Sequence, residues 1–366
     1  MTRGFTVRLM DVVARVLVAD SVPPEVTAEV IDAWRDLQIA DQNPHDLLVA
    51  LVPDTDTDPA EADVSITVEP EESLGERMAS LLTLAALERM SGRAVMLHAG
   101  AIALDDGGVI GFVGPSGRGK TTAMTVLART HAYVTDETLV ITGDGSVTPY
   151  PKPLLLGRRP EVKQAHPASS LGLRALDETP LRLARLVLLD RRETGGPPSV
   201  AHVPMVDAMV ELARESSYLS ALHEPLHALA RMVLATGGAR RLTYSEATTL
   251  PDALHELMRD SSRPKPDVRS VPPVPVSRAA SSGWVRAPYT DALLVDDRLV
   301  VMHEQTMTVL DGIAPALWQA ATGVSMEHLT RTVLREHPAP PELDDPDAVV
   351  ASVAEELGRA GLLHWN

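Results

Sequence analysis

A glycine-rich stretch is the clearest sign of chemistry in this sequence. Residues 114–121 read Gly-Pro-Ser-Gly-Arg-Gly-Lys-Thr, which matches the pattern G-x-x-x-x-G-K-[ST]. Glycines in such a loop let backbone N–H groups converge on phosphate oxygens, while the lysine contacts the β- and γ-phosphates and the hydroxyl holds Mg²⁺. The pattern predicts a site for ATP and Mg²⁺, with a glycine-rich turn that binds nothing as the alternative. The candidate nucleotide-binding residues are Gly114, Ser116, Gly117, Arg118, Gly119, Lys120, Thr121 and Thr122.

Two acidic residues and a histidine flank this loop in the sequence. Asp136 lies 16 residues after Lys120 and is followed directly by Glu137, which is far enough for a helix to return and bring a carboxylate beside Mg²⁺. A solvated turn is the alternative for this acidic pair. His98 lies in an apolar stretch 22 residues before Lys120, and a lone histidine in such a stretch is more often a core residue than a ligand.

Alternating strand and helix patterns surround these residues. Ser73 and Glu76 form a capping box, and Gly92 is typical of a helix end. The four residues 105–108, Asp-Asp-Gly-Gly, predict a hairpin turn. Strands that alternate with helices around a glycine-rich turn predict an α/β fold. The predicted strands are 94–104, 109–114, 133–142 and 183–190, and the predicted helical segments are 24–37, 76–90, 120–130 and 204–236.

Together, these residues resemble the catalytic domain of HPr serine kinase. The likeness spans residues 75–260 and implies an α/β phosphate-loop fold related to that of phosphoenolpyruvate carboxykinase. The matching pieces are His98-Ala-Gly, the hairpin, the loop 114–121, Val-Thr-Asp-Glu at 134–137 and Tyr-Pro-Lys-Pro-Leu-Leu-Leu at 150–156.

The resemblance also implies a role for each candidate residue. Asp136 would accept the proton of an attacking hydroxyl. Thr121, Asp136 and Glu137 would hold Mg²⁺. His98 would lie near the transferred phosphate, and Lys120 would contact it, so the candidate catalytic residues are Asp136, His98 and Lys120.

The sequence departs from that family in two respects. The acidic pair is Asp-Glu instead of Asp-Asp, and the family's later Glu-x-Arg-Gly signature is absent from the sequence. Arg158, Arg159 and Lys152 are candidates, by charge alone, for the family's downstream arginine. Phosphoryl transfer depends on positioning and on charge, so the loss of one such group would leave a protein that binds ATP better than it transfers phosphate. HPr itself is not the expected substrate, because the additional domains differ.

Changes in composition divide the chain into four predicted parts. Residues 261–283 contain five prolines and six serines and predict a solvated, partly extended linker. A weaker, acidic boundary lies near 53–63. The predicted parts are a small N-terminal lobe (1–70), a nucleotide-binding domain (71–260), the linker and a C-terminal domain (284–366).

The C-terminal domain has its own pattern. Three short strands in 291–312 precede predicted helices at 313–323, 325–337 and 345–363, an α+β arrangement like that of a winged helix. The domain resembles the PqqD-like family, also called the RiPP recognition element, in the strand pair at 293–302 and in the apolar positions of 310–318 and 357–363. The resemblance implies that the leader of a ribosomally made precursor peptide adds to a sheet edge and packs against the last helix, as in β-augmentation. A packing domain without a ligand is the alternative. The candidate peptide-binding residues are Met307, Thr308, Val309, Leu310, Val350, Val353 and Leu357.

Composition excludes several classes of protein. The 366 residues include no cysteine, which rules out disulfides, thiolate metal sites and a thiol nucleophile. The net charge of −17, and the 13 acidic against five basic residues in 284–366, argue against a nucleic-acid partner. No stretch of 18 apolar residues predicts a membrane span, so we expect a cytoplasmic protein.

These observations leave three functional hypotheses. The first is an ATP- and Mg²⁺-dependent kinase that acts on a serine or threonine of the precursor peptide. The second is a kinase-like scaffold, weak or inactive in catalysis, that brings the precursor leader to a separate modifying enzyme. The third is an unrelated ATP-dependent regulator. Because HPr kinases assemble, the resemblance also implies a homo-oligomer.

Overall fold

The loop 114–119 connects a buried strand to a helix in the computed structural model. The structure describes residues 3–40, 44–53, 62–68, 73–157, 163–193, 195–259, 265–272 and 283–366. Several sequence features lie outside these ranges: Arg158 and Arg159, the acidic stretch 54–61 and most of the linker 261–283. Within the ranges, no helix is both long and apolar enough to cross a membrane.

The chain divides into two compact units. The first comprises residues 1–204, 211–222 and 232–263, and the second comprises 205–210, 223–231 and 264–366. The N-terminal lobe belongs to the first unit, because its sheet shares a buried core with Met78, Leu82 and Met96.

The N-terminal sheet has the strand order β3-β1-β2-β4-β5. Most of its residues are buried, as expected from their apolar, β-branched side chains. A helix, α1 (Pro24–Ala33), lies between the second and third strands in sequence. The strands are β1 (Arg3–Leu9), β2 (Val12–Val18), β3 (Gln38–Ile39), β4 (Leu47–Pro53) and β5 (Val64–Val68).

The capping box predicts the next helix correctly. Helix α2 (Leu74–Arg89) begins after Ser73, whose hydroxyl accepts a hydrogen bond from the Glu76 N–H at 3.2 Å. Gly92 follows the helix with a φ of +76°. The left-handed conformation of Gly92 diverts the chain into the next strand.

The central sheet of the first unit has the order β10-β9-β6-β7-β13-β16-β14, and β8 and β15 also pair with β6. Strands β7, β13 and β16 are parallel neighbours, so their carboxyl ends meet at one edge, where ligands bind in open α/β sheets. A small hairpin, β11–β12, accompanies the sheet. The strands are β6 (Val95–Ala103), β7 (Gly108–Val113), β8 (Ala132–Thr135), β9 (Thr138–Ile141), β10 (Val147–Thr148), β11 (Leu154–Leu156), β12 (Gln164–His166), β13 (Arg182–Arg191), β14 (Ser199–His202), β15 (Ser216–Ser217) and β16 (Ala239–Tyr244).

Four further helices lie in the described residues between 120 and 259, and two of them, at 205–214 and 225–235, are each divided between the two units. Helix α3 packs across β6 at Gly100, where a Cβ would lie 2.7 Å from Cγ of Met124. The helices are α3 (Lys120–Leu127), α4 (Met205–Arg214), α5 (Pro225–Ala235) and α6 (Leu250–Arg259).

Two predicted elements are wrong in detail. The single strand expected at 133–142 is divided into β8 and β9, because the Thr135 hydroxyl accepts hydrogen bonds from the N–H groups of Glu137 and Thr138 and turns the chain. The helical region expected at 204–236 is interrupted between α4 and α5. There β15 pairs with β6, and the His98 N–H donates to the Glu215 carbonyl at 2.7 Å.

The described residues of the second unit form a sheet with the order β17-β19-β20-β21, a small sheet with the order β22-β18-β23 and three complete helices besides the parts of α4 and α5. The three strands predicted in 291–312 are confirmed as β19, β20 and β21. The strands are β17 (Val268–Ser270), β18 (Trp284–Arg286), β19 (Asp291–Val295), β20 (Arg298–His303), β21 (Thr306–Leu310), β22 (Thr322–Val324) and β23 (Leu363–Trp365). The helices are α7 (Ala314–Ala320), α8 (Met326–Glu336) and α9 (Pro346–Arg359).

Two further corrections concern this unit. Strand β17 lies inside the stretch predicted as a linker, since residues 268–270 pair with 293–295 of β19. The helix expected at 313–323 ends at Ala320, because residues 322–324 form β22 and pair with β18.

Candidate functional site

The loop 114–119 closes around the ammonium group of Lys120. Nζ of Lys120 donates to the carbonyl oxygens of Gly114 and, at 3.1 Å, of Pro115. Gly117 and Gly119 adopt φ values of +81° and +85°. A residue with a side chain would be strained in this left-handed conformation. Lys120 is buried, and this burial lowers its pKa despite nearby carboxylates. The two glycines thus allow the loop to curve around Lys120, whose ammonium group is held at the centre of the loop.

The apex of the loop is open to solvent. Ser116, Gly117, Arg118 and Thr122 are exposed, whereas Gly114 is buried. Helix α3 begins after Gly119 without a side-chain cap, so the N–H groups of its first turn are not bonded to a capping side chain. Such N–H groups and the positive end of the helix dipole favour an anion at this position.

The ends of β13 and β16 hold the loop in place. Arg118 donates from Nη1 to the Arg191 carbonyl at 3.2 Å, and the Tyr244 hydroxyl donates to the Arg118 carbonyl at 3.0 Å. Arg191 donates in turn to the Ser245 carbonyl at 3.2 Å. The loop is thus fixed at the carboxyl ends of the parallel strands.

Asp136 lies beneath the start of α3 and is only 5% exposed. Its Oδ2 accepts a hydrogen bond from the Thr121 hydroxyl at 2.8 Å. Its Oδ1 accepts one from the Tyr133 hydroxyl at 3.0 Å and lies 3.3 Å from Nζ of Lys152. Tyr133 is fully buried, and desolvation together with the charge of Asp136 raises its pKa well above the usual value. The phenol therefore remains protonated and donates to Asp136.

Lys152 joins the two acidic residues. Its Nζ lies 2.8 Å from Oε2 of Glu137 as well as 3.3 Å from Asp136, and its side chain is 2% exposed. Burial alone would lower the pKa of Lys152, but attraction to Asp136 and Glu137 outweighs burial and raises it. Of the three cations that the sequence offers for the downstream position, Lys152 is the one that lies within the described ranges, and it contacts both acids.

His98 belongs to the same cluster. Its Nδ1–H donates to the Glu137 carbonyl at 3.1 Å. Burial, followed by repulsion from Lys120, lowers its pKa below 6.5. The ring is therefore neutral at physiological pH, and its other nitrogen is an acceptor.

Glu215 is a member of the site that the sequence analysis missed. Its carbonyl accepts a hydrogen bond from the His98 N–H, and the register of β15 on β6 places Glu215 opposite His98. Residues that face each other across antiparallel strands direct their side chains to the same face. The negative charge of Glu215 accordingly raises the pKa of both His98 and Lys120, against the larger lowering by burial. No sequence signal marks it, because it follows Lys120 by 95 residues and depends on the pairing of a two-residue strand.

The oxygen donors near the loop fit Mg²⁺. Within the described residues, no group of three or more His, Cys, Asp or Glu side chains has the geometry of a metal site. Mg²⁺ in phosphate-transfer sites takes one or two carboxylates together with the oxygens of the substrate phosphates. Thr121 and Asp136, in contact beside Lys120, supply a hydroxyl and a carboxylate of this kind, and Glu137 is adjacent.

The candidate peptide-binding residues fall into two groups. Met307, Thr308 and Val309 are half-buried and lie on β21, whose outer edge pairs with no other described strand. Leu310, Val350 and Leu357 are buried in the core of the second unit, so they are not available to a peptide. The apolar periodicity of Val350 and Leu357 marks the packed side of α9. Val353 is half-buried and packs against the same core, whereas Val349 of this helix is 39% exposed.

No protein-family model matches this chain, and no curated protein matches it at a significant level.

Proposed function

We propose that this protein transfers the γ-phosphate of ATP to a serine or threonine hydroxyl of a precursor peptide. The observation that carries the proposal is the contact between Thr121 and Asp136, directly beside the lysine at the centre of the glycine-rich loop. A strand, a glycine-rich loop and a helix that presents uncapped N–H groups form the usual cradle for a triphosphate. The adjacent hydroxyl and carboxylate are the donors that Mg²⁺ requires.

The residues of the chain have separate tasks in this reaction. Backbone N–H groups of the loop and Lys120 would bind and orient the phosphates. Thr121 and Asp136, with Glu137 beside them, would hold Mg²⁺, which neutralises developing charge on the phosphate oxygens. Neutral His98, with Lys120 close to it, would lie near the transferred group. Phosphoryl transfer needs little covalent chemistry from the protein, so positioning and charge are the main contributions of this cluster.

The second unit supports the choice of a peptide as substrate. Strand β21 exposes an edge, and alternate N–H and C=O groups of such an edge can pair with an added strand. Val349 of α9 is 39% exposed and is an apolar side chain of the kind that gives such binding its selectivity. We therefore propose that the leader of the precursor binds at β21.

A scaffold that recruits the precursor to a separate modifying enzyme is the second candidate. One observation favours it: Lys152 already neutralises charge on the acidic pair, and Asp136 has both carboxylate oxygens in contact with protein groups. Such a protein would bind nucleotide and peptide but transfer little phosphate.

Mass spectrometry separates the two candidates. The full chain is incubated with Mg-ATP and a candidate precursor peptide encoded beside its gene. A kinase adds one phosphate to the peptide, and Lys120→Met abolishes the addition. Lys163→Met, which removes a lysine whose ion pair is partly exposed, serves as the matched control and should leave it intact. A peptide that stays bound with unchanged mass contradicts the kinase and supports the scaffold.

A further inference from the structure

The two acidic residues of the site differ in how far they are open to a substrate. Asp136 is closed: Oδ1 contacts the Tyr133 hydroxyl and Lys152, and Oδ2 contacts the Thr121 hydroxyl. It is 5% exposed. A base must present a free lone pair to the proton that it accepts, within hydrogen-bond reach. Three protein groups already occupy acceptor positions of Asp136, two on Oδ1 and one, the Thr121 hydroxyl, on Oδ2. The one acceptor position left lies on Oδ2, beside the hydroxyl at the start of α3, where a cation can share both oxygens.

Glu137 is the open member of the pair. Its side chain is 30% exposed, and its Oε2 is fixed by Lys152 at 2.8 Å. Within the described ranges, no hydrogen bond or ion pair is made by its Oε1. Because Lys152 holds one oxygen, the second oxygen has a defined position at the partly exposed side of the cluster. His98 donates to the backbone carbonyl of the same residue, which fixes the main chain there.

We infer that Glu137, not Asp136, is the base that accepts the proton of the attacking hydroxyl, and that Asp136 with Thr121 holds the divalent cation. This assignment rests on the proposed kinase function and reverses the roles that the family resemblance implies. In the step, the substrate oxygen forms a bond to the γ-phosphorus and the bond from that phosphorus to the β,γ-bridging oxygen breaks. The hydroxyl proton passes to Oε1 of Glu137, and ADP leaves with the electron pair of the broken bond.

Lys152 is the positioning residue in this arrangement. Its ammonium group bridges one oxygen of Asp136 and one oxygen of Glu137. The other oxygen of Glu137 is thereby left for the substrate. Without Lys152, two carboxylates of adjacent residues would repel each other in a site largely shielded from water.

The test measures cation-dependent nucleotide binding and phosphate transfer separately. Binding of a non-hydrolysable ATP analogue is measured by calorimetry with Mg²⁺ and with EDTA, and transfer is measured with peptide and with water as acceptors. We expect Glu137→Gln to bind the Mg-nucleotide within about threefold of wild type while kcat falls at least about 100-fold, the usual size of a base contribution. Glu137→Asp, with a shortened carboxylate, should recover part of this loss.

Asp136→Asn should show the opposite pattern. We expect it to lose the gain in nucleotide affinity that Mg²⁺ gives to wild type, while its affinity in EDTA stays unchanged. Thr121→Val removes the hydroxyl that would bind the cation together with Asp136. This variant is measured instead if Asp136→Asn does not fold. Circular dichroism and the thermal midpoint establish folding for each variant.

The outcomes separate the inference from the proposed function. If wild type transfers phosphate, and Glu137→Gln retains transfer while Asp136→Asn loses it with Mg-nucleotide binding intact, the inference is overturned and the kinase stands. If wild type binds the Mg-nucleotide but transfers phosphate to neither acceptor, the kinase function fails and the base assignment fails with it. Loss of transfer in Glu137→Gln with binding preserved supports both.

Discussion

Lys152 has a positive charge in a position where two carboxylates, and almost no water, surround it. Removing one partner of a buried ion pair is costly because the remaining charges stay desolvated. We expect Lys152→Met to lower the free energy of unfolding by about 3 kcal/mol, near the low end of the range for such losses because Glu137 is partly exposed. Lys163→Met, at a partly exposed pair with Glu76, should cost less than about 1 kcal/mol. Urea unfolding measures both, and equal costs would contradict the buried pair.

His98 makes the stability of the first unit depend on pH. Because its pKa in the folded protein is lowered below 6.5 by burial and by Lys120, the unfolded chain takes up the proton first as the pH falls. The stability that neutral His98 contributes is thus complete above pH 6.5 and is lost as the pH falls toward the folded pKa. We expect His98→Asn, which keeps a donor for the Glu137 carbonyl, to lose less stability than wild type between about pH 7.5 and 5.5. A difference that stays constant with pH would refute this origin.

At the scale of elements, the sequence predicted the features that depend only on residues close together in the chain. The Ser73 cap, the turn at 105–108 and the strand-loop-helix around 114–119 follow from neighbouring residues, and the structure contains all three. The position of Glu215 depends on the pairing of β15 with β6 across a long stretch of chain, and no single-sequence pattern encodes such pairing. In the sequence, Lys152 is a candidate by charge alone, and its contact with both acids depends on how the loop that carries it folds back onto them. The division of 133–142 into two strands depends on the hydroxyl of Thr135. Threonine favours strands, so β-propensity predicts one continuous strand there.

The crossing of α3 over β6 fixes the start of the helix above the acidic pair. In Gly100→Ala, the new Cβ would lie 2.7 and 2.8 Å from Cγ and Sδ of the fully buried Met124. We expect a loss of about 1–3 kcal/mol, the usual cost of an overpacked core. Gly143→Ala, with no atom within 4 Å of the new Cβ, is the matched control and should change stability by less than about 1 kcal/mol. Chemical unfolding of both variants tests whether the helix is this tightly seated.

The edge of β21 can be tested with two neighbouring prolines. In an antiparallel edge strand, successive N–H groups point alternately to the adjacent strand and to solvent. One of Thr308→Pro and Val309→Pro therefore removes a bond to β20 and lowers the thermal midpoint. The other removes an outward N–H and should weaken binding of the leader peptide at least about tenfold with a smaller loss of stability. Fluorescence anisotropy with a labelled leader gives the affinities. Unchanged affinity in both variants would exclude strand addition at β21.

At the scale of the whole molecule, net charge predicts the class of partner, whereas apolar periodicity predicts the positions of helices. The acidic balance of 284–366 predicts a partner other than nucleic acid, and this stays a prediction. Apolar periodicity located α9, but it selected Val350 and Leu357 as contact residues although they are core residues. A helix buries its most regular apolar stripe, so any apolar residue of α9 that is open to a partner must lie beside that stripe, where Val349 is 39% exposed.

If the second unit binds the leader while the first transfers phosphate, the joined precursor gains from an intramolecular encounter. Linking a substrate to a binding segment raises its effective concentration to the millimolar range for short flexible linkers. We therefore expect the core peptide alone to be phosphorylated with a KM at least about 100-fold above that of the full precursor, at similar kcat. Free leader should inhibit phosphorylation of the full precursor by competition but leave that of the core peptide unchanged. Stimulation of core-peptide phosphorylation by free leader would instead show that the leader activates the catalytic unit, and equal KM values would show that the second unit does not recruit the substrate.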